Sequence, residues 1–185
     1  MPFCGKQPTK EALKNMNKVA VIGCPGAGKS TFARKLAGIT GLPLFYLDML
    51  WHLPDGSHVS RQEFSHSLDI LLARDRFIID GNYLKTLPAR LEVCDTVFFL
   101  DYPLSLCLEG ARERIGKKRE DMPWVETCFD PEFREYIKAF PTLQRPEILR
   151  LLEVYSQKRP SLEILVFSLR AQADSYLDSP AAGCL

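Results

Sequence analysis

The sequence predicts a single α/β domain in which a parallel β-sheet carries helices on both faces. A length of 185 residues suits one domain better than two. Short apolar runs alternate with helical patterns, and the runs lack strict polar–apolar alternation, which is typical of parallel strands buried on both faces. Strand–helix alternation implies right-handed crossovers between the strands. Ligands of such sheets bind at the carboxyl ends of the strands, so the functional residues are expected there.

Five short apolar runs are the predicted strands of this sheet. In chain order they span residues 18–22, 44–47, 77–80, 96–101 and 163–167.

Helix-start signals lie between these runs. Residues 60–63 (SRQE) form a capping box that leads into an apolar helix face. Asp130 and Pro131 have the pattern of an N-cap followed by proline at the first helical position. Pro146 is expected to open another helix over residues 147–155.

The chain ends are predicted to lie outside the folded unit. Residues 1–15 are expected to be a flexible extension, residues 16–178 the domain, and residues 179–185 a frayed tail.

Composition excludes several classes of function. The formal net charge of +1 argues against direct nucleic-acid binding through a broad basic face. No apolar run is long enough to span a bilayer, so a soluble, cytoplasmic protein without a membrane partner is expected. The six cysteines are scattered without metal-ligand spacing, which fits free thiols in a reducing compartment.

A glycine-rich loop after the first strand carries the most specific signal. The segment GCPGAGKST matches G-x-x-x-x-G-K-S/T, and a chance match in this length is on the order of one in a hundred. A predicted strand leads in and a helix-compatible run, residues 31–37, leads out, which favours a phosphate cradle over a turn with a solvated lysine. The predicted nucleotide-binding residues are Gly23, Cys24, Pro25, Gly26, Ala27, Gly28, Lys29, Ser30 and Thr31.

Each residue type in this loop suits Mg-ATP. Glycines let backbone N–H groups converge on phosphate oxygens, and the helix N-terminus adds partial positive charge. Lys29 is expected to reach the β- and γ-phosphates, Ser30 to bind Mg²⁺, and Thr31 to contact a phosphate nearer the base. ATP and Mg²⁺ are therefore the predicted cofactors.

Candidate acceptor-side residues follow the second and third strands. Asp80 is predicted to help bind Mg²⁺, or to be an ordinary turn residue. Asp48 could bind or deprotonate an acceptor, or cap a turn. Arg61 and Arg90 are candidate clamps for an anionic acceptor, whereas Asp101 is expected to cap the helix after the fourth strand.

A basic segment, residues 112–119, concentrates positive charge in a nearly neutral protein. Phosphoryl transfer needs cations over the transferring group, and one arginine there can contribute ~10³-fold or more. Gly116 interrupts the helical pattern, so residues 114–128 are predicted to form a short lid in which Arg114 and Arg119 are catalytic. The alternative is a solvated charge run.

The motifs resemble those of P-loop nucleoside-monophosphate kinases. The glycine-rich segment, residues 23–31, which is here called the P-loop, and the stretch FIIDGNYLKTLPARL look like those of adenylate kinases, and more like those of the bacterial proteins called DNA topology modulation proteins. The motifs LD, DGNY, LDYP and RIGKKRED, which carry the resemblance, lie at residues 47–48, 80–83, 100–103 and 114–121. The resemblance implies a P-loop NTPase three-layer sandwich with strand order 2-3-1-4-5 and a short lid. It also implies ATP at the P-loop, Asp80 at a magnesium site and Arg114 and Arg119 as lid arginines.

Three functions remain open at this point. The first is a nucleoside-monophosphate kinase, although the DGNY turn lacks the Phe-Pro-Arg that adenylate kinases use for their acceptor. The second is a kinase for a small hydroxylated metabolite, similar to shikimate or gluconate kinases, with Asp48 as the base. The third is a nucleotide-binding regulatory module linked to DNA topology. In every case we expect a monomer or a dimer that binds ATP and, for the kinases, a small-molecule acceptor.

Overall fold

The computed structural model describes Leu13 and residues 15–178. The predicted C-terminal tail, residues 179–185, lies outside the described residues, as does most of the predicted extension 1–15. Within that extension, Leu13 is buried in the hydrophobic core, as is Met16 just after it.

Five parallel strands form one sheet in the order β2-β3-β1-β4-β5, which confirms the predicted strand order. Their bounds are β1 Lys18–Gly23, β2 Leu44–Tyr46, β3 Phe77–Asp80, β4 Thr96–Leu100 and β5 Glu163–Phe167. All five predicted runs are strands. The second is shorter than expected because Leu47 begins a helix instead of ending the strand.

Helices connect the strands and cover the sheet. Their bounds are α1 Lys29–Thr40, α2 Leu47–Trp51, α3 Arg61–Leu72, α4 Leu87–Val93, α5 Leu104–Arg112, α6 Pro131–Leu143, α7 Arg145–Lys158 and α8 Arg170–Asp178. A short 3₁₀ helix, Leu84–Thr86, precedes α4. None of the helices in the described part of the chain combines the length and the apolar character needed to cross a membrane.

The predicted helix starts at α3 and α6 are confirmed. The Ser60 hydroxyl accepts a hydrogen bond from the Glu63 N–H (3.2 Å), and the Glu63 carboxylate accepts one from the Ser60 N–H (2.8 Å). The Asp130 carboxylate accepts from the Phe133 N–H at 2.7 Å. Each bond satisfies an N–H group that has no partner within its helix.

The predicted capping role of Asp101 is wrong. Helix α5 begins at Leu104 with Pro103 at its N-cap, and no side chain caps it. The Asp101 carboxylate instead accepts two hydrogen bonds from the Arg145 guanidinium, at 2.7 and 2.8 Å. Such a paired arrangement matches the fork of an arginine to the two carboxylate oxygens and ties the end of β4 to the start of α7.

The core lies between the sheet and its helices. Every residue of β3 and β4 is buried, as are the residues of β1 after Lys18. On one face, the Phe98 ring of β4 packs against Phe32 of α1 (4.9 Å between centroids) and Tyr176 of α8 (5.3 Å). Burial on both faces explains why the strand sequences are continuously apolar. Because the strands run parallel, the loops after β1, β2 and β3 lie at one edge of the sheet.

Candidate active site

The P-loop is fixed by close contact with the backbone of α5. Gly26 has φ 85°, and a Cβ at this position would lie 1.9 Å from the Cys107 carbonyl oxygen. A Cβ on Gly110 would in turn lie 2.2 Å from the Gly26 carbonyl oxygen. Only glycine satisfies both the positive φ and the contact. The loop is therefore held in one shape against a rigid helix.

The remaining loop residues lie as the motif predicts between β1 and α1. Gly23 ends β1, and Gly28 is the N-cap of α1 with φ 86°. Cys24 and Ala27 are buried and Pro25 is half-buried. Because the backbone of these residues forms the loop, their side chains can be apolar without loss of anion-binding capacity.

The Cys24 thiol points away from solvent toward the Cys107 thiol. Both side chains are almost fully buried. Contact with Cys107, together with burial, raises the pKa of the Cys24 thiol. Cys24 is therefore a packing residue of the loop at neutral pH rather than a nucleophile.

Three charged or polar side chains project from the start of α1. The Lys29 ammonium donates to the Cys24 carbonyl at 3.1 Å. The Ser30 hydroxyl donates to the Asp121 carboxylate at 2.8 Å, whereas Thr31 is exposed. Asp121 belongs to the segment predicted as a lid, so the lid contacts the P-loop directly.

Asp80 is a buried carboxyl at the end of β3. It is 5% exposed, and its Oδ1 atom has no hydrogen-bond partner among the described residues. Burial raises its pKa to about 6, while the Lys29 ammonium and the Ser30 hydroxyl offset part of that rise. A buried acceptor without a partner is costly, which indicates that a ligand completes this position.

The oxygens around Asp80 fit a hard divalent cation. The free Oδ1 of Asp80, the Ser30 hydroxyl and the Asp121 carboxylate supply the neutral and anionic oxygens that Mg²⁺ prefers. The two carboxylates, those of Asp80 and Asp121, are enough for a site in which phosphate oxygens and water supply the other Mg²⁺ ligands.

A cavity of about 500 Å³ adjoins the P-loop. The P-loop and α1 form one wall, and α8 contributes Arg170 and Asp174 to another. Its lid-side wall holds four basic side chains, Arg114, Lys117, Lys118 and Arg119, and one acidic side chain, Asp121. Positive charge on two sides makes this cavity suitable for a polyphosphate.

The two predicted lid arginines have different surroundings. Arg119 forms ion pairs with Asp121 (3.6 Å) and Glu126 (3.4 Å). The Arg114 guanidinium has no hydrogen-bond or ion-pair partner within the described part of the chain, and burial followed by the charge of Arg119 lowers its pKa. Arg114 is therefore the lid arginine whose guanidinium remains available to a ligand.

Asp48 lies on α2, immediately after β2, and is half-buried. Its Oδ1 accepts a hydrogen bond from the Tyr83 hydroxyl at 2.9 Å. Tyr83 is the only non-glycine residue with positive φ (22°) among residues 13 and 15–178. Such a backbone conformation costs on the order of 1–3 kcal/mol and concentrates at functional sites.

The two arginines predicted as acceptor clamps lie in unlike places. Arg61 is exposed at the first residue of α3. Arg90 is completely buried, and its guanidinium donates to backbone carbonyls of residues 81–83. Because its guanidinium already donates to the carbonyls that follow Asp80, Arg90 stabilises this turn and is not free to bind an acceptor.

Aromatic rings surround the Asp48 side of the site. Trp51 lies edge-on to Tyr83, with 6.4 Å between centroids. Trp124, in the lid, lies edge-on to His52 at 4.9 Å. Burial lowers the pKa of His52, which favours its neutral form. The lid thus contacts α2 through Trp124 and the P-loop through Asp121.

Sequence reasoning singled out the P-loop, Asp48, Asp80 and residues 114–128, but it missed the contacts that Asp121 and Tyr83 make. Both residues belong to motifs in which other residues, Asp80, Arg114 and Arg119, are the predicted site residues. The signals that could have found them are the acid at the end of RIGKKRED and the tyrosine at the end of DGNY. Neither motif reveals that its last side chain turns back toward the site.

Comparison with known proteins identifies the fold. No protein-family model matches the chain, and no curated protein matches it. Among solved structures it is similar to a shikimate kinase from Bacteroides thetaiotaomicron (17% identity, 88% of this chain and 94% of that chain, TM-score 0.50). It is also similar to a sugar kinase from Janibacter sp. HTCC2649 (19% identity, 88% and 91%, TM-score 0.50). At these identities the likeness establishes the fold, which this chain shares with both structures.

Proposed function

We propose that the protein is an ATP-dependent phosphotransferase whose acceptor is a hydroxyl group of a small molecule. One observation carries this proposal. A half-buried carboxylate, Asp48, is held by the Tyr83 hydroxyl (2.9 Å) after β2, next to the strand that ends in Asp80. A hydroxyl acceptor benefits from such a carboxylate because it must lose a proton during transfer.

The donor side of the proposal rests on the P-loop and its cavity. The backbone N–H groups of the loop and the Lys29 ammonium would bind the β- and γ-phosphates of ATP. Ser30, Asp80 and Asp121 would hold Mg²⁺, directly or through water. When bound, Mg²⁺ neutralises charge on the phosphate oxygens. Arg114 would bind oxygens of the transferring group, since its guanidinium has no partner within the described residues.

Transfer would proceed as a displacement at the γ-phosphorus. The acceptor oxygen forms a bond to that phosphorus while the bond to the β–γ bridging oxygen breaks, and its electron pair leaves with ADP. The hydroxyl proton passes to the Asp48 carboxylate. The products are ADP and a phosphate ester, with the proton later released to water.

The charges on the acceptor side favour a hydroxyl over a phosphate. A nucleoside monophosphate would need free cations at its own phosphate. Arg90, predicted for that task, is buried and donates to backbone carbonyls, and Asp48 would repel a second phosphate. The similar structures are named as a shikimate kinase and a sugar kinase, and these names support a small hydroxylated acceptor.

A nucleoside-monophosphate kinase is the second candidate. The free guanidinium of Arg114 and the resemblance of the P-loop, DGNY and RIGKKRED motifs to the adenylate-kinase-like DNA topology modulation proteins support it. The net charge of +1 supports a small-molecule acceptor over direct DNA binding. Free thiols at Cys24, Cys94 and Cys107 support a cytoplasmic location for either enzyme.

The test is phosphoryl transfer from Mg-ATP to two acceptor sets, followed by ADP release. One set holds polyols, sugars and hydroxy acids, and the other holds nucleoside monophosphates. Lys29→Ala, which removes the phosphate-binding ammonium, is the matched blank. Turnover above the blank with a hydroxyl compound would support the proposal. Turnover with monophosphates alone would establish the second candidate instead.

A further inference from the structure

We infer that Arg90 is a positioning residue for Asp48 that acts through the turn formed by residues 81–83. This inference rests on the proposed function, in which Asp48 accepts the proton of the acceptor. Arg90 itself touches neither ATP nor acceptor. It fixes the backbone that aims the Tyr83 hydroxyl at the Asp48 carboxylate.

Arg90 donates hydrogen bonds to three successive backbone carbonyls. Its Nη1 atom donates to the Gly81 carbonyl at 2.7 Å, and its Nη2 atom donates to the carbonyls of Asn82 (2.6 Å) and Tyr83 (3.1 Å). Its exposed fraction is 0%, and none of the ion pairs among the described residues includes it. Three successive carbonyls therefore provide its hydrogen-bond acceptors.

A buried guanidinium without an ion-pair partner carries a desolvation cost. Burial lowers the pKa of Arg90 to about 10, although the group stays charged at neutral pH. A smaller apolar residue would avoid this cost, but it could not donate to three carbonyls at once. The planar fork of arginine suits this task, whereas lysine offers a single nitrogen.

The turn that Arg90 holds is strained at Tyr83. Tyr83 has φ 22° and ψ 69°, a backbone conformation that residues other than glycine rarely adopt unless surrounding contacts hold it. Two further contacts hold the same turn. The Gly81 N–H donates to the Val21 carbonyl at 3.2 Å, and the Asn82 side chain donates to Gln144 at 2.7 Å. The turn is thus fixed from β1, α4 and the start of α7.

The side chain of the strained residue, Tyr83, points toward Asp48. Its backbone conformation turns the Tyr83 ring toward Phe64 of α3 (5.0 Å between centroids) and brings its hydroxyl to Asp48. The contacts thus run from Arg90 through Tyr83 to Asp48. Loss of the Arg90 fork would let Tyr83 relax to negative φ and withdraw the hydroxyl from Asp48. A misplacement of about 1 Å can cost about 100-fold in rate.

The chain offers a matched control for the structural part of this role. Arg159 also donates to two backbone carbonyls, those of Leu91 (2.6 Å) and Cys94 (2.7 Å). These carbonyls lie at the end of α4, just before β4 begins, and so at the edge of the sheet opposite Asp48. Arg159→Lys should therefore weaken a similar contact without reaching the site.

The experiment is a double-mutant cycle on kcat with a hydroxyl acceptor, using Arg90→Lys, Tyr83→Phe and the double variant. We expect each single change to lower kcat by about 10- to 100-fold with the KM for Mg-ATP within threefold of wild type. Arg90→Lys should cost less than threefold when Tyr83 is already phenylalanine, because the two residues act in one chain of contacts. Arg159→Lys should leave kcat unchanged.

Equal costs of Arg90→Lys in both backgrounds would overturn the inference, and so would a matching loss in Arg159→Lys. Asp48→Asn separates this failure from that of the proposed function. Full activity in Asp48→Asn overturns the proposed function. If Asp48→Asn is inactive but the effects of Arg90→Lys and Tyr83→Phe on kcat are additive, only the role of Arg90 is overturned. If Arg90→Lys does not fold, Arg90→Gln replaces it in the cycle. The ¹³Cζ resonance of Tyr83 gives a readout without turnover: a shift in Arg90→Gln supports the inference, and an unchanged resonance contradicts it.

Discussion

Replacing the buried carboxyl at the end of β3 should make the protein more stable and less active. Asp80 ionises with a pKa of about 6 instead of its ordinary 3.8, because burial disfavours the charged form. The folded protein therefore binds this proton more tightly than the unfolded chain does. Asp80 costs no stability below pH 3.8, and its cost grows as the pH rises to about 6 and then levels off. Asp80→Asn removes the ionisation altogether.

The pKa displacement sets the size of the gain. A rise of about two units at about 1.4 kcal/mol per unit corresponds to about 3 kcal/mol at pH 8 in the absence of Mg²⁺ and ATP. At pH 5 the gain should be roughly half as large, because this pH lies about midway between the pKa values of the unfolded and folded states. For a chain of this length, each kcal/mol moves the Tm by about 2–4 °C, so Asp80→Asn should raise the Tm at pH 8 by about 6–12 °C.

The assay is thermal unfolding followed by circular dichroism at pH 5 and pH 8, with EDTA present. Asp69→Asn, which changes an exposed carboxylate on α3, is the matched control and should not gain stability between the two pH values. The same Asp80→Asn protein should lose phosphoryl transfer and the extra Tm rise that Mg-ATP gives the wild type. A Tm at pH 8 equal to or below that of wild type would refute the reasoning.

Two further predictions concern the lid. Arg114→Ala should lower kcat by roughly 10²–10³-fold, because its guanidinium is free to bind the transferring phosphate. Arg119→Ala should lower kcat less, because ion pairs with acids of the lid already occupy Arg119, and steady-state kinetics showing the reverse order would contradict this assignment. Trp124 should report rearrangement of the lid, since its ring lies against His52. In a Trp51→Phe background, saturating Mg-ATP should change its emission, and an unchanged spectrum would count against movement of the lid.

The strands, the P-loop and the helix caps could be predicted because their signals are local. A buried parallel strand needs a continuous apolar run, and a phosphate cradle needs glycine at fixed spacing. The capping box at Ser60 likewise involves residues three apart. Each of these patterns can be recognised without knowing what packs against it.

The contacts that were missed join residues far apart in the chain. The sequence predicts that Asp101 caps the helix that follows it, but its partner is Arg145, 44 positions later. Tyr83 reaches Asp48 over 35 positions, and Asp121 reaches Ser30 over 91. The local sequence pattern cannot distinguish an acidic residue that caps a helix from one that pairs with an arginine far away in the chain. Such pairs form only when the sheet brings the strand ends together.

Arg90 illustrates the same limit for a charged residue. Within its own helix, α4, it follows Leu87 and precedes Leu91, both buried, so its position is on the core side of the helix. Arginine at such a position is usually interpreted as exposed, because burial of a charge is costly. The carbonyls that compensate the burial of this charge belong to a turn whose shape depends on positive φ at Tyr83. The sequence gives no signal for that conformation.

The most direct test of an Asp48-dependent hydroxyl kinase compares Asp48→Asn with the wild type in two separate measurements. One is the Kd for Mg-ATP by calorimetry, and the other is the single-turnover rate of transfer to the best hydroxyl acceptor. We predict a Kd within about threefold of wild type and a transfer rate lower by about 10²–10⁴-fold, as expected for the loss of a general base. Equal transfer rates in the two proteins would contradict the assignment of Asp48 and favour an acceptor that needs no base.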